Sequence, residues 1–122
     1  MAFTGITATE DEIDQKSGAN VSSDFTDVMK TASLLQAESY LNSETRFNWS
    51  DWYATTPNVD IKYIVTSFTA SWVATDAINY DVDAIGRGTA NQMLNVLANI
   101  MSKAMETLKN ASSNQAWMVA NA

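Results

Sequence analysis

From Val59 to Tyr80 the chain runs VDIKYIVTSFTASWVATDAINY, without a glycine, a proline or a long polar break. Alternation of apolar and polar residues holds only through Ile61, Tyr63 and Val65, then slips phase at Ile64-Val65 and again at Trp72-Val73. Strands usually span about 3–10 residues. The β-branched Val59, Ile61, Ile64, Val65, Thr66, Thr69, Val73 and Thr75 therefore weaken a helix here without redirecting the segment into a sheet. At about 100° per residue, Ile61, Ile64, Val65, Phe68 and Trp72 fall within one stripe that calls for a core. Val59, Tyr63, Ala70, Ala74 and Ala77 form a shallower apolar face on nearly the opposite side. A helix apolar on two sides is covered twice, by its own chain or by a neighbour.

The remaining residues read as further helices joined by short links. Residues 1–8 form an extended arm with Phe3 and Ile6 as apolar anchors. Thr9 with Glu12 fits a capping box, Glu10, Asp11 and Glu12 favour the positive end of a helix dipole, and Gly18 is placed to end a short helix after Lys16. A second helix spans residues 24 to about 43, capped by Ser22 or Ser23. Phe25, Val28, Met29, Ala32 and Leu35 share one side of it, and Leu34, Ala37 and Leu41 the far side, so two apolar faces appear again. Residues 44–57, ETRFNWSDWYATTP, make a corner with Phe47, Trp49, Trp52 and Tyr53. Asn48 or Ser50 is placed to cap one helical turn there, and Pro57 with Asn58 to open the central helix. The aromatic set reads as a plug at the end of a bundle, with a ligand platform as the alternative.

Thr89 with Gln92 forms another capping box, opening a helix over residues 90 to about 110. Its apolar face is Met93, Leu94, Leu97, Ile100, Met101, Ala104, Met105 and Leu108; its polar face is Gln92, Asn95, Asn99, Ser102 and Glu106. After Lys109 comes NASSNQAWMVANA, polar but carrying Trp117, Met118 and Val119. Such an aromatic tether either docks a neighbour or folds back on its own domain. The pattern predicts an all-α fold, a bundle of about four helices over residues 9–109, between the arm at 1–8 and the tail at 110–122.

With no Cys and no His among 122 residues, thiol nucleophiles, imidazole bases and ordinary zinc sites are excluded. The net charge is −7, with thirteen acids against four bases up to Asp83 and one against three after it. That balance opposes nonspecific DNA binding through phosphate neutralisation. It suits solubility, repulsion of DNA in a channel, or a basic partner. Asp81, Asp83 and Gly86 echo positions 1, 3 and 6 of a calcium loop, but Ile85 stands where an oxygen ligand belongs and Gln92 where the bidentate Glu belongs, and an acidic turn closed by Gly86 and Gly88 is the plainer reading. The opening MAFTGITATEDE lacks the basic start and apolar stretch of a signal peptide, and no apolar run reaches the ~18 residues of a membrane span. No nucleophile elbow or phosphate-cradling glycine loop is present. No enzyme activity, cofactor or metal is expected, and no catalytic residue is assigned.

The order of helices, together with Gln36-Ala37-Glu38, Arg46-Phe47-Asn48-Trp49-Ser50-Asp51 and Ala77-Ile78-Asn79-Tyr80-Asp81, resembles the head-to-tail adaptor (head-completion or connector) proteins of tailed bacteriophages across residues 9–108. The resemblance implies a non-enzymatic structural protein of the phage virion neck, assembled in the host cytoplasm. It would form a homo-oligomeric ring, commonly a dodecamer, beneath the portal protein, extend the DNA channel and meet a downstream neck or tail protein. It also implies that the C-terminal tail grips the portal, with Trp117, Met118 and Val119 as anchors. The second apolar faces add an expectation of subunit contacts at Leu34, Leu41, Tyr63, Ala70 and Ala74. The competing readings are an acidic helical regulator that binds a basic protein as a DNA mimic, and another ring-forming tail-completion protein.

Overall fold

A computed structural model describes residues 6–18, 24–54, 59–80 and 86–112. Among them are five helices and no strand: α1 (Glu10–Ser17), α2 (Asp27–Thr45), α3 (Trp49–Ala54), α4 (Val59–Tyr80) and α5 (Arg87–Ser112). The all-α bundle expected from periodicity is the fold, and α4 coincides with the unbroken stretch from Val59 to Tyr80. Two of its three threonines are accommodated by back-bonding: Thr69 Oγ1 donates to the Val65 carbonyl at 3.1 Å and Thr75 Oγ1 to that of Ser71 at 2.8 Å. These two hydroxyls, which compete with helix formation in isolation, are thus satisfied within the helix.

α4 touches α1, α2 and α5. At its N-terminal end Ile61, Val65 and Phe68 pack with Leu41, Trp49, Ala104 and Leu108. Ala70, Val73 and Ala77 pack with Ala8, Ile13, Phe25 and Leu34, and Ala74 and Ile78 with Ala90 and Leu97. The clusters set α2 and α5 antiparallel to α4: Leu41 and Leu108 meet the start of α4, whereas Ala90 meets its end and the Phe25 and Tyr80 rings stand 5.7 Å apart. Both apolar faces of α4 are therefore covered by its own chain, except at Val59 and Tyr63 on its first turns, which stay exposed. The small alanines of the second face let α1 and α2 come close.

This arrangement corrects the expected subunit contacts. Leu34 and Leu41 are 1% and 0% exposed, and Ala70 and Ala74 are equally buried, so these four are spent on the chain's own core. Tyr63, at 65% exposed, stays on the surface. The two faces of α2 are present as expected, but the side of Val28, Met29, Ala32 and Leu35 is turned outward, while Leu34, Ala37 and Leu41 face inward. Of the first group only Phe25, which precedes α2, is buried.

Local signals account for most boundaries. Thr9 accepts from Glu12 N at 3.2 Å and Glu12 Oε1 accepts from Thr9 N at 2.8 Å, the capping box expected at α1. Gly18 ends α1 at φ 82°, with extended ψ rather than a left-handed helical one, and donates to the Asp14 carbonyl at 2.9 Å. α2 starts later than expected, with Thr26 as its cap, and closes on Arg46 at φ 57°. Ser22 and Ser23 lie outside the described residues. Asn48 caps α3, accepting from Asp51 N at 3.1 Å. α5 starts earlier than expected: the Gly86 carbonyl takes the Ala90 N–H at 2.8 Å, which places Thr89 and Gln92 inside the helix, exposed. Its apolar face is buried or half-buried throughout and its polar face exposed, as the pattern predicts.

The arm is less separate than residues 1–8 suggest. Ile6 is exposed, whereas Thr7 and Ala8 are buried. Phe3, Pro57, Asn58 and the acidic turn at 81–85 lie outside the described residues.

The orientation of α2 is testable by urea unfolding. Leu41→Ala is expected to cost about 2–5 kcal/mol as a core truncation, and Leu35→Ala to stay within about 0.5 kcal/mol as a surface change. The opposite ranking would place the wrong face inside.

Candidate interaction surface

Four places on the molecule concentrate chemistry: the aromatic corner, a buried carboxylate, an uncovered stripe on α2 and a groove beside it. The corner is a plug. The Trp49 ring is fully buried, its Nε1 donates to Thr45 Oγ1 at 2.8 Å, and its backbone N–H donates to Asn42 Oδ1 at 2.8 Å. Phe47, tilted, and Trp52, edge-on, pack against it with centroids at 4.6 and 5.1 Å. A ring enclosed in this way offers no face to a ligand.

Glu38 is buried in the middle of α2, and its carboxylate accepts from Thr7 N at 3.1 Å and Thr7 Oγ1 at 2.7 Å. The Thr7 carbonyl in turn accepts from Thr66 Oγ1 at 2.8 Å, and Tyr53 OH lies 2.9 Å from that hydroxyl. A buried charge needs partners of this kind. Thr7, Glu38 and Thr66 are all closed off from solvent, so the network ties the segment before α1 to α2 and α4 rather than exposing an acid to a substrate. Periodicity could not single out these residues. A threonine in an extended stretch carries no spacing signal, and Glu38 on an apolar face reads as an interruption. Among the described residues no group of three or more Asp, Glu, His or Cys side chains is gathered to hold a metal ion.

On α2, Val28, Ala32 and Leu35 follow one another at i, i+4, i+7, one stripe of a helix, with Met29 beside them. Val28 is 50% and Leu35 57% exposed. A second apolar pair, Val59 and Tyr63 at i, i+4, is exposed on the first turns of α4. Beyond Leu35 the surface continues into a hollow bounded by Gln36, Ser39, Ser43, Tyr40 and Trp72.

Tyr40 and Trp72, with ring centroids 5.2 Å apart, form the shared wall to a groove of about 470 Å³ between α2, α4 and α5. Phe68, Met101 and Met105 complete its apolar lining; Thr75, Asp76 and Ser102 are its polar members. Ser33 Oγ donates to Asp76 Oδ2. The Trp72 indole N–H is buried and has no acceptor among the described residues. A volume of this size, lined by rings and thioethers, takes a few apolar side chains.

Of the residues expected at an interface, Tyr63 lies on the exposed α4 pair, and Leu34, Leu41, Ala70 and Ala74 lie beneath the surface. Trp117, Met118 and Val119 lie outside the described residues. The stripe on α2 was visible in the sequence as an apolar face; its outward direction was not. No helix among the described residues is long and apolar enough to cross a membrane. Comparison of the chain with protein-family models, with curated proteins and with solved structures finds no match.

Glu38→Ala removes the acceptor of both Thr7 donors and is expected to cost about 3 kcal/mol. Hydrogen exchange is expected to rise across residues 6–18 more than across α5. Unchanged protection of that segment would show that the carboxylate does not hold it.

Proposed function

We propose that the chain is a structural subunit of a tailed-phage neck, a head-to-tail adaptor that forms a ring beneath the portal and extends the DNA channel. The observation that carries this reading is the apolar surface the chain leaves uncovered in two different places: Val28, Ala32 and Leu35 on α2, and Val59 with Tyr63 on α4. Two unlike patches on one subunit suit a heterologous contact, and such a contact makes a ring when its rotation closes. An exposed apolar stripe on a small acidic protein also favours association over a solitary life. The helix order and the resembling segments at residues 36–38, 46–51 and 77–81 supply the choice of family.

The net charge of −7 supports a subunit that lines a channel without holding DNA. Asp11, Asp51 and Glu106 are among its exposed acids. In this reading the tail, with Trp117, Met118 and Val119, reaches the portal, and a further neck or tail protein meets the free end of the ring.

The test is the mass of the chain by light scattering, alone and with a purified dodecameric portal. The expected result is stoichiometric assembly on the portal, reduced at least ~10-fold by Leu35→Glu, with stability changed by no more than about 0.5 kcal/mol because the site is exposed. A chain that ignores the portal and instead binds a basic protein at low salt, releasing it at high salt, would establish the acidic-regulator reading in its place. Undiminished assembly of Leu35→Glu would remove the α2 stripe from the interface.

A further inference from the structure

The groove between α2, α4 and α5 lies beyond the Tyr40–Trp72 wall from the α2 stripe, and the ring reading makes no use of it. We propose that in the free subunit it is filled by the chain's own segment around Trp117, folded back from the end of α5.

Three observations converge on this occupant. The first is direction. Ser112, the last residue of α5, follows Met101 by eleven positions and Met105 by seven, which on a helix of ~3.6 residues per turn puts each of the two within about 20° of Ser112, one on either side. The chain therefore leaves α5 on the side that lines the groove. The second is reach. Met105 lies about 10 Å back along the axis from Ser112 at ~1.5 Å per residue. Ser113 and Asn114 are residues that suit a reversal. Residues 115–117, extended at ~3.3 Å each, then cover about 10 Å and bring Trp117 level with Met105.

The third is chemistry. No charged side chain follows Lys109, and Trp117, Met118 and Val119 are consecutive apolar residues. They meet a lining of Tyr40, Phe68, Trp72, Met101 and Met105. An extended segment also brings backbone carbonyls, the acceptor that the buried Trp72 indole N–H lacks among the described residues. The Lys109–Glu44 ion pair, 2.9 Å and half-exposed, bridges α5 to α2 near the helix end. Trp117 cannot fill this groove and grip a portal at once, so the folded-back segment belongs to the unassembled subunit. It is present whether or not the chain ever forms a ring.

Because the chain has no cysteine, one introduced pair reports the geometry without interference. The full chain carrying Ser102→Cys and Ala120→Cys is compared with one carrying Lys103→Cys and Ala120→Cys. Both helix positions are exposed and stand at the same height, but only Ser102 lines the groove. The expected result at low protein concentration is an intrachain disulfide formed at least ~10-fold faster for the Ser102 pair, since a docked segment raises the effective concentration on one side only. Adding Trp117→Ser is expected to abolish that difference. Equal rates for the two pairs would overturn the proposal. So would a disulfide formed only between chains, which would give the groove to a second copy, or a difference that survives Trp117→Ser. None of these outcomes depends on portal binding, so this proposal and the ring reading fail separately.

Discussion

A long helix with apolar side chains on opposite sides remains folded in water only if both sides are covered, and α4 imposes that demand on every other element. Ile61, Val65 and Phe68 draw in α5, the end of α2 and the Trp49 plug; Ala70, Val73 and Ala77 draw in Ile13, Phe25 and Leu34. The second cover is the less obvious one, because part of it comes from a helix of eight residues and the short segment before it. A helix that short is marginal alone. It is held by its capping box and by Thr7, whose N–H and hydroxyl both end on the buried Glu38 carboxylate. One charge inside the protein is thus tolerated because it fastens the cover over the central helix.

Covering α4 from within decides what is left outside. α2 faces inward with Leu34 against the alanines of α4, Leu41 against Ile61, Val65 and Phe68, and Ala37 between them, with Ser33 and Glu38 beside them. Val28, Ala32 and Leu35 are left facing solvent. The surplus of apolar surface that suggests a partner is real, but it sits one helix face away from Leu34 and Leu41. On the far side of Tyr40 it runs into the groove, so the exposed apolar surface of α2 continues toward Trp72 and α5. The stripe is suited to a neighbouring subunit and the groove to the chain's own tail.

Residue spacing carried the elements well and their orientation poorly, for a physical reason. The span of α4, the α1 capping box and the inward face of α5 are local properties, set by periodicity and by hydrogen bonds within one turn. The choice between the two faces of α2 is a tertiary property. Periodicity marks both, and what separates them is long-range contact: Leu34 and Leu41 pack on α4, and Glu38 meets Thr7 thirty-one residues away. The α2 and α5 starts moved because competing caps were available: Thr26 begins α2, and Gly86 opens α5 ahead of Thr89. Of the residues expected at an interface, Tyr63 remains on the surface because it stands on the exposed first turns of α4, whereas Ala70 and Ala74 lie where covering elements cross.

Hydroxyl-radical footprinting of the chain, free and assembled on a portal, tests most directly whether the outward face of α2 is the surface that meets a neighbour. In the free chain Leu35 and Val28 are expected to be modified readily while Leu34 and Leu41 are spared, and on assembly the modification of Leu35 and Val28 is expected to disappear. Modification of Leu34 as fast as Leu35 in the free chain, or of Leu35 unchanged after assembly, would contradict it.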